Sequence, residues 1–368
     1  MSFLYQSLGT SRRITEIVFA GSHDASIVSG SSNAQTQFFN IGVQAAAGVR
    51  LFDLRILARS VGSSGAQMVG YHGVKVGKSE NVYNNKVTGQ QHQVKTTGHI
   101  LGEFGLPLKD MLTQAKEFVT ATNEFLIFKF DKCTNYKLIA DYCVTILGTA
   151  IFKPNGIEFG KLTLGDLAGK VVCVFADSAL AEMAPYTDQD GILGFKSLRG
   201  EKNSVGTYDP NYSGLQYYGK GGTSAGAIYK TKHMKMNENI SKQGKMLAAM
   251  GGKDEDWAGD VLGMMYWTAT GSLSSIRKRN ENVMWGQTGV DRMGELWREG
   301  LEHSVTTQLA RDKIKVRTYG GVRRVKAYIP NVIMIDFADL NKCKTIFALN
   351  KVADDRLAKA YDEYTEAA

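Results

Sequence analysis

The stretch VRLFDLR, residues 49–55, decides the fold class because apolar and polar residues alternate along one short strand. Successive side chains of a β-strand point to opposite faces, so Val49, Leu51, Asp53 and Arg55 share one face. On that face the apolar residues come first and the charged residues come last. This order predicts a buried strand whose carboxyl end presents polar groups to a site.

Three other stretches repeat this order, namely EIVFAGSHD (16–24), EFLIFKFD (124–131) and NVIMIDFAD (331–339). In each of them the shared face is apolar at its beginning and polar at its end. The residues on these faces are Ile17, Phe19, Gly21 and His23; Phe125, Ile127 and Lys129; Val332, Met334 and Asp336. Polar residues that end several parallel strands are typical of a barrel with its site at the carboxyl mouth.

Helical segments alternate with the strands. LPLKDMLTQAKEFVTA (106–121) has helical spacing, whereas AQMVGYHG (66–73), GKVVCVFAD (169–177) and LGMMYWTATG (262–271) are predicted strands. This alternation predicts an α/β fold with a parallel sheet. No GxGxxG motif follows the first strand, so we expect a closed barrel and not an open dinucleotide-binding sheet.

The 368 residues are predicted to form a single catalytic domain, 1–368. The strand and helix pattern weakens over 178–260, which we expect to be an irregular insert. Within it, 208–226 (YDPNYSGLQYYGKGGTSAG) is rich in Gly, Ser and Tyr and is predicted to be a loop. That glycine run lacks the GK[ST] ending of a phosphate loop.

The composition excludes several classes. A hydrophobic fraction of 43% with 22% charged residues argues against a disordered chain. The formal net charge of +8 favours an anionic partner. No zinc finger, homeodomain or RNA-recognition signature is present, so we do not expect nucleic acid to be that partner.

The four cysteines form no CxxC pair and no Cys/His spacing that fits zinc. The amino terminus lacks a secretory signal pattern, and no apolar run reaches transmembrane length. We therefore expect a chain that is cytoplasmic, or secreted by a signal-independent route. Its oligomeric state is left open by the sequence.

The polar groups at strand ends are the candidate site. Taken singly, each has an ordinary structural role: His23 as a turn histidine, Asp336 as a helix cap, Arg55 as an ion-pair partner. Taken together with His72, they predict an acid–base site. The other four histidines, His92, His99, His233 and His303, lie in loop-like or helical stretches, and we expect surface or structural roles for them.

Several motifs together resemble the catalytic domain of phosphatidylinositol-specific phospholipase C. They are GSHDAS (21–26), GVRLFDLR (48–55), YHG (71–73), the helix before FLIFKFDK, LGDLAGKVVCV (164–174) and NVIMIDFAD (331–339). The resemblance covers the N-terminal half and the last strand, but not 178–260. It implies a distorted TIM barrel that cleaves a phosphodiester by general acid–base catalysis.

The resemblance also implies residue roles. His23 matches the general base that deprotonates the inositol 2-hydroxyl, and His72 matches the general acid that protonates the leaving diacylglycerol oxygen. Asp336 matches the carboxylate that orients His23, and Asp24 matches the partner of His72. Lys129 matches a lysine that binds the headgroup.

Calcium-binding relatives carry Asn after the first histidine and acidic residues on the second strand. Here those places hold Asp24 and Arg55, with Asp53 expected to support Arg55 or the histidines. The resemblance therefore implies a metal-independent enzyme without a cofactor, because a guanidinium can neutralise the phosphorane charge. The family's arginine on the fourth strand is missing from VVCVFADS. Its further aspartate and tyrosine have only candidates, namely Tyr208, Asp209, Tyr212 and Tyr217.

The predicted substrate is phosphatidylinositol or a glycosyl-phosphatidylinositol, an anionic phospholipid met at a membrane surface. The aromatic stretch 208–218 is predicted either to insert into the lipid headgroups through Tyr217 and Tyr218 or to pack on the barrel. Two alternatives stay open for the function. One is a metal-dependent glycerophosphodiesterase or sphingomyelinase D-like enzyme, and the other is a non-catalytic module that binds lipid phosphate.

Overall fold

The structure is a computed structural model that describes residues 4–61, 65–76, 79–84, 91–200, 205–221, 238–243, 245–246, 260–269, 275–293 and 330–351. Its strands are β1 (Phe19–Ser22), β2 (Val49–Leu54), β3 (Ile56–Ser60), β4 (Ala66–Val76), β5 (Ser79–Asn84), β6 (Gln91–Thr97), β7 (His99–Pro107), β8 (Leu126–Phe130), β9 (Val171–Ala176), β10 (Ile192–Ser197), β11 (Leu215–Lys220), β12 (Leu262–Trp267) and β13 (Val332–Ile335). The principal helices are α1 (Ile41–Ala47), α2 (Leu108–Thr122) and α3 (Tyr136–Leu147).

Eight of these strands close into a parallel barrel in the order β1-β13-β12-β11-β10-β9-β8-β2. The barrel interior is filled by alternate side chains of these strands, which include Phe19, Leu51, Ile127, Val172, Leu193, Leu215, Leu262, Met264, Val332 and Met334. The predicted α/β barrel of the TIM type is confirmed.

The predicted inner faces hold with one exception. Val49 packs with the outer core cluster, whereas Leu51 packs inside the barrel. The pairing of β1 with β2 shifts at this point, so that Ala20 faces Val49 but Gly21 faces Leu51. This one-residue bulge breaks the alternation that the sequence pattern assumes.

The prediction of a loop over 208–226 is wrong in part, because Leu215–Lys220 is barrel strand β11. Together with β10, it shows that 178–260 supplies two of the eight barrel strands. Tyrosine favours strands, but the surrounding Gly and Ser residues conceal this signal in the sequence. Tyr218 is fully buried, so packing on the barrel replaces the predicted insertion through this residue.

Strands β3 to β7 form a second sheet, in the order β5-β6-β3-β4-β7, which we name the arm. The predicted strand at 66–73 belongs to the arm and not to the barrel. In the arm β4 and β7 pair antiparallel, with Gly73 opposite Gly102. Both glycines have positive φ angles, 131° and 151°, and a Cβ on Gly73 would lie 2.1 Å from the Leu101 carbonyl oxygen. This close approach requires glycine.

Helix α2 confirms the predicted helix and explains its spacing. Its buried side chains are Leu108, Met111, Leu112, Ala115 and Val119, which recur on one face. The helix ends at Asn123, whose left-handed conformation (φ 58°) is a common helix terminus. No helix in the described part of the chain is long and apolar enough to cross a membrane.

Candidate active site

The carboxyl ends of neighbouring strands bring the predicted residues together. His23 and Asp24 follow β1, Arg55 follows β2, Asp336 follows β13, and Lys129 lies in β8. Strand β1 pairs with β2 on one side and with β13 on the other. Parallel strands therefore place these side chains at one mouth of the barrel.

A tight turn separates the directions of His23 and Asp24. Asp24 has a φ of 41°, a left-handed conformation that aspartate tolerates better than most residues. The backbone is fixed on both sides, because the His23 amide donates to the Ile335 carbonyl at 3.0 Å and the Thr36 hydroxyl donates to the Asp24 carbonyl at 2.8 Å. The two neighbours can therefore serve different partners.

His23 is paired with a buried carboxylate. Its Nδ1 lies 2.9 Å from Asp336 Oδ1, and Asp336 is fully buried. Burial alone would lower the pKa of His23, but the carboxylates of Asp24 and Asp336 raise it to about 9. The two carboxylates therefore favour the protonated form of His23 at neutral pH.

Asp24 connects three cationic or basic groups. Its Oδ2 lies 2.7 Å from His72 Nδ1 and 3.5 Å from His23 Nε2, and its Oδ1 forms an ion pair with Arg55 Nε at 3.0 Å. Burial opposes the charge on Asp24, but these neighbours outweigh it and the pKa of Asp24 is held below its usual range. Asp24 is thus a buried anion shared by both histidines and the arginine.

Lys129 lies in a separate polar group beside this network. Its Nζ is 3.1 Å from Asp53 Oδ1 and 3.5 Å from Asp131 Oδ2, and 4.5 Å from the centre of the Phe195 ring. Burial would lower the pKa of Lys129, but Asp53 raises it well above its usual range. The direct partner of Asp53 is Lys129, and the charge of Asp53 also adds to that of Asp24 in raising the pKa values of Arg55 and His23 against the effect of burial.

His72 reaches the site from the arm. It lies within β4, just beyond the irregularity in the β4–β7 pairing between Val69 and Tyr71, and not at the end of a barrel strand. Its side chain is 24% exposed, against 10% for His23. The two histidines are therefore held in unlike surroundings, although both contact Asp24.

The structure separates the other candidates for headgroup contacts. Tyr208 donates its hydroxyl to Glu158, Tyr212 donates to Asp177 at 2.8 Å, and Asp209 forms an ion pair with Lys196 at 3.3 Å. Burial raises the pKa of Tyr217, and the charge of Lys129 opposes this rise, so that Tyr217 lies within reach of Lys129. Of these candidates, Tyr217 is the one that the structure places beside the predicted site.

Three residues near the site were not predicted. Asn280 Nδ2 donates to Asp336 Oδ2 at 3.1 Å, and Gln37 Nε2 donates to the His23 carbonyl at 3.0 Å. The Tyr266 ring lies 5.9 Å from the His23 ring in an edge-to-face arrangement. Tyr266 follows the inward alternation of β12, which is a signal that the sequence contains, but nothing local marks Asn280 or Gln37.

Two further points complete the site. Within the described ranges, no group of three or more His, Cys, Asp or Glu side chains is arranged to hold a metal ion. His92 and His99 lie on arm strands β6 and β7, contrary to the expectation of loops or helices. His233 and His303 lie outside the described residues.

Comparisons with known proteins were made for the sequence and for the fold. No protein-family model and no curated protein sequence matches the chain. A structure of the phosphatidylinositol-specific phospholipase C of Staphylococcus aureus matches with a TM-score of 0.51 and 16% identity, over 94% of this chain and 96% of that one.

Two other solved structures are also similar. The F249X mutant of the Staphylococcus aureus enzyme matches with a TM-score of 0.49 and 16% identity, over 93% of this chain and 96% of that one. A calcium-dependent phosphoinositol-specific phospholipase C from a Pseudomonas species matches with a TM-score of 0.40 and 12% identity, over 72% of this chain and 86% of that one. The resemblance noted in the sequence is confirmed for the fold, and the chain has the barrel fold of the Staphylococcus aureus enzyme.

Proposed function

We propose that the chain is a phosphodiesterase of the phospholipase C type that cleaves phosphatidylinositol or a glycosyl-phosphatidylinositol. The observation that carries this proposal is the arrangement of two histidines and one arginine around a single buried carboxylate, Asp24. A binding module needs positive charge, but it has no need for two imidazoles that are each oriented by a carboxylate.

The chemistry follows from the two imidazoles. Nε2 of the neutral form of His23 accepts the proton of the inositol 2-hydroxyl, and the hydroxyl oxygen attacks phosphorus. The bond from phosphorus to the diacylglycerol oxygen breaks, and His72 donates a proton to that oxygen. The products are an inositol cyclic phosphate and diacylglycerol, and the two histidines have exchanged their protonation states.

The carboxylates keep the two imidazoles in their orientations. Asp336 contacts Nδ1 of His23, so Nε2 is the nitrogen that exchanges a proton with the substrate. Asp24 does the same for His72 through its Nδ1. In both residues the ring is fixed by one nitrogen, so the other nitrogen can transfer a proton.

Arg55 supplies the positive charge for the phosphorane. Its Nε is engaged with Asp24, and its side chain is 23% exposed at the mouth of the site. A guanidinium has further donors in the same plane, which suit the non-bridging oxygens of a phosphate. This favours metal-independent cleavage, since the charge that a calcium ion would neutralise can be met by Arg55.

The substrate assignment rests on charge and on the polar group around Lys129. Lys129 is buried between Asp53 and Asp131, next to Tyr217, and Asp131 is the partly exposed carboxylate through which this polar group can meet the hydroxyls of a polyol headgroup. We propose that the enzyme acts on this anionic lipid at a membrane surface.

Phosphorus NMR tests the proposed function directly. Phosphatidylinositol in detergent micelles is incubated with the protein, with and without a chelator, and we expect the cyclic phosphate signal to appear in both. Loss of turnover in chelator would favour the metal-dependent glycerophosphodiesterase class. Binding of the lipid without any new phosphorus signal would favour the non-catalytic module.

A further inference from the structure

The face of the arm that carries His72 is apolar and exposed beyond it. In the β4–β7 pairing His72 faces Glu103, Val74 faces Leu101, and Val76 faces His99. Side chains alternate along a strand, so His72, Val74 and Val76 lie on one face of the arm. Lys75 confirms the alternation, because its Nζ lies 5.2 Å from the centre of the Tyr71 ring, on the other face.

This face is unusual in its exposure. Leu101 is 72% exposed and Val74 is 66% exposed, the highest values among the large apolar side chains of the described residues. Val76, next along the strand, is 45% exposed. A neighbouring cross-strand pair of exposed aliphatic side chains points to a contact with another apolar body.

On the opposite face of the arm the apolar side chains are packed against each other. There Leu57, Val69 and Tyr71 form a small buried cluster, with Ile100 and Phe104 packed against it. The arm therefore has its own core on one face, so Val74 and Leu101 are not required to hold the sheet together. Their apolar character calls for a different explanation.

We infer that Val74, Val76 and Leu101 form a docking face for the lipid that carries the leaving group. The inference rests on the proposed function. If His72 protonates the diacylglycerol oxygen, the lipid departs on the side of His72. Val74 is two residues from His72, about 7 Å along the strand at the usual rise. The apolar face thus begins where the glycerol and its acyl chains leave the site.

Charge favours a lipid surface over a second protein copy as the occupant. Residues 56–107 carry five lysine and arginine residues and two glutamates. This segment of the sequence therefore carries more than a third of the chain's formal charge of +8 in about a seventh of its length. A basic segment with an exposed aliphatic pair suits a surface rich in anionic phospholipid, whereas two such segments would repel each other.

The test compares a lipid surface with a monomeric substrate. The double variant Val74→Ser/Leu101→Ser and the control Ile157→Ser are measured on mixed phosphatidylcholine and phosphatidylinositol vesicles and on short-chain phosphatidylinositol below its micelle concentration. Ile157 is 41% exposed and precedes β9, so it lies toward the other end of the barrel.

We expect the double variant to bind vesicles about tenfold or more weakly, because two aliphatic groups no longer leave water. The ratio of vesicle to monomer turnover should fall by a similar factor, and Ile157→Ser should leave both unchanged. A second variant, Val74→Thr/Leu101→Thr, keeps the strand propensity and should show the same direction.

A spectroscopic measurement of vesicle binding does not depend on turnover. Tryptophan emission of Val74→Trp, measured against wild type, should shift to shorter wavelength when vesicles are added, and that of Ile157→Trp should not. Vesicle binding and a turnover ratio equal to wild type in both double variants would overturn the inference. The inference would also be overturned if the wild-type protein sedimented as a dimer, the double variants sedimented as monomers, and vesicle binding did not differ between them. Absence of turnover in wild type, with weaker vesicle binding of the variants, would refute the proposed function and leave the docking face standing.

Discussion

The barrel and the arm each contribute one histidine to the site, and the two regions hold the imidazole in different ways. His23 follows a fully buried strand and contacts Asp336, which has Asn280 behind it. His72 lies on a half-exposed strand of an accessory sheet and contacts the carboxylate of Asp24.

The difference teaches how a site can combine a fixed base with an accessible acid. The base acts on a hydroxyl of a bound headgroup, so it gains from a rigid and buried setting. The acid acts on the oxygen of the leaving lipid, and its partly exposed position allows the diacylglycerol to leave the site. Asp24 lies between them and ties the arm to the barrel through one carboxylate.

The largest effect should come from removing either imidazole. His23→Ala and His72→Ala should each lower kcat by a factor of roughly a hundred to ten thousand, the usual contribution of a general acid or base. The comparison predicts different costs for the fold. His23→Ala leaves two buried carboxylates without their shared cation and should lower the thermal unfolding midpoint, whereas His72→Ala should leave it nearly unchanged.

Turnover on phosphatidylinositol and thermal unfolding are measured side by side for both variants. Near-normal turnover in His23→Ala would refute the proposed mechanism. Equal loss of thermal stability in both variants would contradict the distinction between a buried base and an accessible acid.

Arg55 stands at the junction of the two regions, between β2 of the barrel and β3 of the arm. Arg55→Lys should remain folded, because lysine can still pair with Asp24, but it lacks the planar donors for phosphate oxygens. We expect kcat to fall by roughly a hundred to a thousand, as for loss of a donor to a developing oxyanion. Thermal unfolding and turnover in chelator are the measurements.

A matched ion pair provides the control. Lys196→Arg changes an exposed pair with Asp209 away from Asp24 and should leave turnover unchanged. Two results would count against the metal-independent mechanism. One is an Arg55→Lys variant as active as wild type, and the other is wild-type turnover that disappears in chelator.

The barrel was predictable from the sequence because its signals are local. Phe19, Leu51, Ile127 and Val332 are inward residues that period-two alternation identifies without any long-range information. The charged residues at the ends of the same strands follow by the same rule. Val49 shows the limit, since a bulge is a pairing event between strands and cannot be read from one strand.

The arm was not predictable in this way. Its strands pair across hairpins, so nothing within AQMVGYHG distinguishes a barrel strand from a strand of a second sheet. The direct pair of Asp53 with Lys129 was not predicted, because it is a contact between two neighbouring strands, whereas the alternation pattern compares residues of one strand. Asn280 was missed because it lies far from Asp336 in sequence and in no strand.

The pH dependence of the rate should separate the two histidines. His23 must be neutral to act as a base, and its pKa of about 9 means that it is protonated below that value. kcat/KM should therefore rise with pH, by up to about fiftyfold between pH 7 and 9. In Asp336→Asn one of the carboxylates that raise this pKa is lost, so the rising limb should move to lower pH.

Glu103→Gln is the matched change on the arm. Glu103 faces His72 across the strands and accepts a hydrogen bond from the Ser31 amide, so it does not contact His23. This variant should keep the rising limb in place. If the rising limb of kcat/KM against pH did not move in Asp336→Asn, a group other than His23 would control it.

The smallest effect should come from Asn280, which acts on the barrel side alone and only through Asp336. Its amide is fully buried and donates both to Asp336 Oδ2 and to the Ile276 carbonyl. Asn280→Leu keeps the size of the side chain but removes a hydrogen bond to a charged group, commonly worth about 1.5–3 kcal/mol. Part of that loss falls on the orientation of His23, so we expect kcat to fall about tenfold with KM nearly unchanged.

Asn350→Leu is the control, because Asn350 is also a buried amide but bonds the backbone of Val18 at the start of β1, away from the site. It should lower thermal stability and leave kcat as it is. If Asn280→Leu also changed stability alone, Asp336 would need no support, and the rigidity of the barrel histidine would have to come from packing.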